Sequence, residues 1–100
     1  MKGYWLIMGS ALIDEAAQAE YGRLWAPIAA RYGARLIRGD QAPELVERLG
    51  STRVVLVEFA DMATAKACYH DPDYAAAMVW ANKAAQRELL FVEGVITERT

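Results

Sequence analysis

Runs of apolar residues and helical periodicities divide this chain into six elements. From Tyr4 to Ala11 nearly every position is apolar. An unbroken apolar run of that length predicts a strand covered on both faces. Asp14 then offers a helix N-cap, with Glu15 well placed for the helix dipole. The helix should run to about Tyr32 and stop at Gly33, carrying Tyr21, Leu24, Trp25, Ile28 and Tyr32 on one face. Pro27 interrupts the pattern without ending it, which predicts a bent helix rather than two helices.

Arg35 to Arg38 reads as a short strand, followed by a loop from Gly39 to Pro43. The segment 44–49 fits either a continuing edge strand or a turn of helix, and strand is the reading adopted. Gly50-Ser51-Thr52 turns the chain into Arg53–Phe59, a β-branched run that is apolar on both faces apart from Glu58. Asp61 caps a second helix, which His70-Asp71-Pro72-Asp73 breaks before it resumes from Tyr74 to about Ala85. Leu89 to Ile96 is the last strand. The order is βαββαβ, an α+β domain with both helical segments on one sheet face. Two central strands that are apolar on both sides need a second cover, and nothing else in the chain supplies it. A second copy of the sheet is the simplest source, so a homodimer is expected.

Composition narrows the function classes. One hundred residues make a single domain, 1–100, and the 55% apolar content is high for so small a chain, which again favours an oligomer. The formal charge is -2 and the basic residues are scattered, so no stripe exists to neutralise nucleic-acid phosphates. No apolar stretch is long enough to span a bilayer, and no secretory leader is evident, so a cytoplasmic location is the default expectation. Cys68 is the only cysteine and His70 the only histidine. No cofactor is expected, and a metal site would have to rest on carboxylates that show no ligand spacing.

The segments Glu20-Tyr21, Tyr32-Gly33-Ala34-Arg35, Val57-Glu58-Phe59, Ala65 with Tyr69, Pro72-Asp73-Tyr74 and Val92-Glu93-Gly94 occur in a familiar order. Together they resemble the Domain of Unknown Function family 1330, within the dimeric α/β-barrel superfamily. The resemblance implies a ferredoxin-like subunit with a four-stranded antiparallel sheet, packed on its twin to form a barrel, and a ligand cavity near the helix–sheet layer or the barrel mouth. Superfamily relatives include cofactor-independent monooxygenases, dehydratases, isomerases and haem proteins. The chain departs from the family at two places. A second Arg usually stands four residues after the one matched by Arg35, whereas here Arg38 is three on and should point to the opposite face. Members also tend to carry an Arg seven residues past the Tyr matched by Tyr74, and that position is Ala81. If those arginines hold an anion, this protein holds it differently or takes something more apolar.

Glu58 is the first candidate for chemistry. A carboxylate in a two-sided strand is costly to bury unless it is paired or protonated, and partial burial would suit it to acid/base work. The alternative is a structural ion pair with Arg35 or Arg53. Arg35 is the candidate anion holder, or else the partner of Glu58. His70 is a catalytic candidate by its pKa range, or an exposed corner residue. Tyr21, Trp25, Tyr32, Tyr69 and Tyr74 form either an aromatic pocket wall or ordinary core. The resulting expectation is a cofactor-independent enzyme acting on a small organic molecule, possibly aromatic or carbonyl-containing. Its rivals are a non-catalytic ligand-binding or stress-related module and, more remotely, a haem-binding protein.

Overall fold

In the computed structural model, which describes residues 1–39, 41, 43–44, 46–47 and 50–96, seven elements follow one another. They are β1 (Lys2–Gly9), α1 (Glu15–Tyr32), β2 (Arg35–Ile37), β3 (Arg53–Phe59), α2 (Met62–Tyr69), α3 (Pro72–Ala84) and β4 (Arg87–Gly94). The strands form one antiparallel sheet in the order β2-β3-β1-β4. The two doubly apolar strands are therefore its centre. This is the ferredoxin-like α+β arrangement.

Local chemistry explains the element ends. Asp14 accepts a hydrogen bond from the Ala17 amide at 2.9 Å and so starts α1. The helix passes through Pro27 without a break and ends where Gly33 takes the left-handed conformation, φ 62°. Asp61 caps α2 through the Thr64 amide. Asp71 caps α3 with Pro72 at its first position, which is why the second helical stretch is two helices.

The first and last strands lie two residues earlier than their apolar runs suggest. β1 begins at Lys2 and β4 at Arg87 because the antiparallel ladder pairs Lys2 with Gly94 and Gly9 with Arg87. Backbone pairing accepts charged residues as readily as apolar ones, so hydropathy misplaces these ends. The strand expected over 44–49 is not found at Glu44, Val46 or Glu47; its other positions lie outside the described residues.

Strand alternation splits the sheet's side chains into two sets. Trp5, Ile7, Val55, Val57, Phe59, Arg53, Arg87, Leu89 and Phe91 share the helix-covered face, by their register across β1, β3 and β4. Trp5 is its centre: fully buried, it meets the rings of Trp25, Phe59, Tyr69 and Tyr74 at centroid distances of 5.5, 5.1, 5.8 and 4.9 Å. Its indole N–H is satisfied by the Ala65 carbonyl, 2.9 Å away. Gly3 lets α2 approach this closely, since a Cβ there would lie 2.6 Å from Met62 Cα. The opposite face carries no helix. Leu6, Met8 and Leu56 are half-buried there, while Val54 and Leu90 are 45% and 46% exposed.

Candidate functional site

A cavity of about 240 Å³ opens between the sheet, α1 and the end of α3. Its wall is aromatic and aliphatic: Trp5, Tyr21, Trp25, Ile7, Val55 and Val57. Tyr21 and Trp25 are one turn apart on α1 and lie parallel, 2° between planes with centroids 6.5 Å apart. Gly22 sits between them in sequence and also lines the cavity, where a Cβ would meet nothing within 4 Å.

Three arginines line the same space: Arg38, Arg53 and Arg87. Two of them belong to one row across the sheet. Arg53 on β3 and Arg87 on β4 both pair with Gly9 on β1, so no side chain stands between them. Their backbones are two strand spacings apart, about 10 Å. Among the described residues none of the three arginines makes a salt bridge, and no carboxylate or imidazole lines the cavity. Gln18, Tyr21 and the indole of Trp25 add further polar groups to the lining residues.

Behind the wall a hydrogen-bonded chain connects these groups. Arg87 Nη2 donates to Tyr74 Oη at 2.6 Å, and Tyr74 Oη lies 3.0 Å from Tyr21 Oη. The Arg87 guanidinium also stacks over the Tyr21 ring, 5.3 Å from its centroid. Burial drives the Tyr74 phenol well above its ordinary pKa; Tyr21 pushes the same way, and Arg87 opposes. Tyr74 thus remains a neutral hydroxyl at physiological pH.

The sequence candidates separate into three places. Tyr21 and Trp25 line the cavity, and Tyr74 supports it from behind. Glu58 and Arg35 pair across neighbouring strands on the opposite, helix-free face. The Glu58 carboxylate accepts from Arg35 Nε at 3.1 Å and from Tyr4 Oη at 3.4 Å, with Lys2 Nζ 3.7 Å away. Arg53, the other partner considered for Glu58, faces the cavity instead. The single site expected to join Glu58, Arg35, Tyr21 and Trp25 is therefore two groups, divided by the sheet. The cause is strand parity: Glu58 is an odd number of residues from both Val57 and Arg53.

The remaining candidates lie at the corner between α2 and α3. Tyr32 donates to Asp71 Oδ2 at 2.6 Å, beside Arg31, whose guanidinium bridges Asp71 and Asp73 at 2.8 and 2.9 Å. These bonds hold the Asp71 carboxyl below its ordinary pKa: first that from Tyr32, then that from the Asp73 amide. They tie α1 to the start of α3. His70 follows α2 as its C-cap, exposed, with its ring edge-on to Tyr69. Tyr69 turns its hydroxyl to Met78 Sδ, 3.7 Å away, and packs on Trp5 and Phe91. No group of three or more His, Cys, Asp or Glu converges as a metal-ligand set among the described residues.

Sequence reasoning missed Arg53, Arg87 and Gln18 as cavity residues. Parity held the signal for the two arginines. Arg53 shares a face with Val55 and Val57, and Arg87 shares one with Leu89 and Phe91. Starting the last strand at Leu89 left Arg87 in a loop.

Residues 2–95 match the family described as Domain of unknown function (DUF1330). The chain belongs to this family. No curated protein matches it. Among solved structures, it is similar to the RPA0582 protein of unknown function from Rhodopseudomonas palustris, at 19% identity and a TM-score of 0.71, covering 95% of this chain and 83% of that one. A dimeric protein of unknown function with a ferredoxin-like fold from Bacteroides fragilis gives 11% and 0.61, over 93% and 96% of the two chains. SnoaB, a cofactor-independent oxygenase from Streptomyces nogalater, gives 13% and 0.57, over 96% and 95%. At these identities the likeness is one of fold. The two positions that the family resemblance singles out both bear on the cavity. Arg35 and Arg38 do point to opposite faces, and Arg38 is the one in the cavity wall, which Ala81 also joins. No helix among the described residues is long and apolar enough to cross a membrane.

Proposed function

We propose that this protein binds a small, flat organic anion in the helix–sheet cavity and acts on it without a cofactor. The observation that carries the reading is the set of three arginines around an aromatic cleft, none of them in a salt bridge among the described residues, in a chain whose net charge is -2. Guanidinium groups seat planar carboxylates through paired hydrogen bonds, and the aromatic wall suits an unsaturated body. The cavity is smaller than the roughly 300–1,000 Å³ of a drug-sized pocket, which selects a compact ligand. Such a site stabilises a carboxylate together with charge that develops beside it. That fits isomerisation, dehydration or cyclisation, or oxygenation of an activated substrate. SnoaB shows that a protein of this fold can be a cofactor-independent oxygenase.

Glu58 and Arg35 take the ion-pair reading in this proposal, and His70 that of a surface corner. Their face is the one assigned to a homodimer. Exposed Val54 and Leu90 on a sheet face without helices support it, as does the dimeric relative from Bacteroides fragilis. Light scattering should give twice the 11.1 kDa chain mass, and Leu90→Glu should give the chain mass.

One observation favours a second reading. The cavity has no carboxylate or imidazole among its described lining residues, so a non-catalytic binding module would be built the same way. Calorimetry with a panel of aryl and alkyl carboxylates tests the anion site. Binding that weakens about tenfold or more in Arg53→Met is expected; equal affinity in that variant would remove the reading. NMR of the bound ligand over hours separates turnover from storage.

A further inference from the structure

The polar groups behind the cavity form a chain with one satisfied direction. A guanidinium has donors only, so at 2.6 Å from Arg87 Nη2 the Tyr74 oxygen must accept. Tyr74 is fully buried, and its own proton needs a partner. Among the described residues that partner is Tyr21 Oη, 3.0 Å away. Tyr74 therefore donates to Tyr21. The Tyr21 oxygen accepts on its inner side, and its own proton is turned away from Tyr74. Tyr21 lines the cavity and keeps part of its surface open.

We infer that Tyr21 presents its O–H to the bound ligand, that Tyr74 is the positioning residue that fixes this direction, and that the ligand carries a carbonyl or enolic oxygen beside its carboxylate. The inference rests on the organic-anion reading above and names the class within it: 2-oxo acids and equivalent keto carboxylates. Arg87 strengthens the donor, because a cation at the head of a hydrogen-bonded chain polarises each O–H along it. A site built to donate to an oxygen discriminates against the analogue that lacks it.

The test compares phenylpyruvate with 3-phenylpropanoate, which share a skeleton and a carboxylate and differ in the 2-oxo group. Calorimetry on the full chain should show phenylpyruvate bound about tenfold tighter or better. Tyr21→Phe should bring the two probes within about twofold of one another, because the hydroxyl that tells them apart is lost. Tyr74→Phe should reduce the preference several-fold, although Tyr21 itself is intact, a result that packing alone would not give. If Tyr74→Phe does not fold, the Tyr21→Phe ratio decides. Two results separate the claims. If both probes bind through Arg53 with equal affinity, or if Tyr21→Phe keeps the preference, the Tyr21 assignment falls and the anion site stands. If the wild type binds neither probe at millimolar concentration, both fall.

Discussion

The two faces of the sheet carry similar chemistry to opposite ends. Each has arginine beside a tyrosine hydroxyl. On the helix-free face Arg35 meets Glu58, which Tyr4 and Lys2 also approach, so the charges close on one another. On the helix face Arg38, Arg53 and Arg87 surround a cavity with no carboxylate among its described lining residues. A paired charge is at rest, whereas unpaired cations around an apolar cleft attract an anion from outside. Pairing separates the two faces better than residue type does: the acid that sequence alone singles out lies on the face where the charges are paired.

The heaviest blow to the comparison is Trp5→Ala. Trp5 anchors the helix layer and also floors the cavity, so this variant should lose about 3–5 kcal/mol in denaturant unfolding. Ligand binding should vanish with the cavity's shape. Glu58→Gln sharpens the contrast from the other side. Arg35 is 66% exposed at its side chain and can return to water, so the expected loss is modest, about 1–2 kcal/mol. Anion binding across the sheet should be unchanged; a tenfold loss there would join the two faces into one site.

Gly22→Ala tests whether the helix face trades stability for room. A glycine inside a helix costs about 0.5–1 kcal/mol relative to alanine, and here nothing obstructs the added methyl. The variant should be more stable by about that amount, and Gly22→Leu should weaken ligand binding by filling the wall. A smaller effect concerns the tether that holds α1 to α3 beside the cavity. The Asp71 pKa is depressed in the fold, so its contribution is complete above the unfolded value near 4 and drains as pH falls through the lower folded value. Asp71→Asn should therefore be less stable than wild type at neutral pH, and the gap should close in strong acid. The smallest expected effect is at Cys68, whose thiol burial pushes up to about 12. It should resist thiol reagents at pH 8 in the native state and react only on unfolding.

Much of this could be read directly from residue order. The aspartate caps at Asp14 and Asp61, the stop at Gly33 and the break at Asp71-Pro72 are local decisions, made by a side chain acting on backbone within a turn of its own position. The doubly apolar runs marked β1 and β3 as central because no other environment suits them. The opposed directions of Arg35 and Arg38 followed from spacing alone. Positions 44, 46 and 47, which form no strand, carry no strong local signal, and pairing there would depend on what lies beside them.

The sequence by itself determined the elements, their order and which strands are interior, because these follow from short-range caps and hydrophobic period. Only the tertiary structure decided which arginines share a space. Arg53 and Arg87 are 34 residues apart and meet across Gly9, a residue in neither neighbourhood. Register between strands sets that row, and register is a long-range property of the whole ladder. That row comes from the ladder, and the cavity and the Tyr74–Tyr21 bond come from α1 and α3 packing over the sheet.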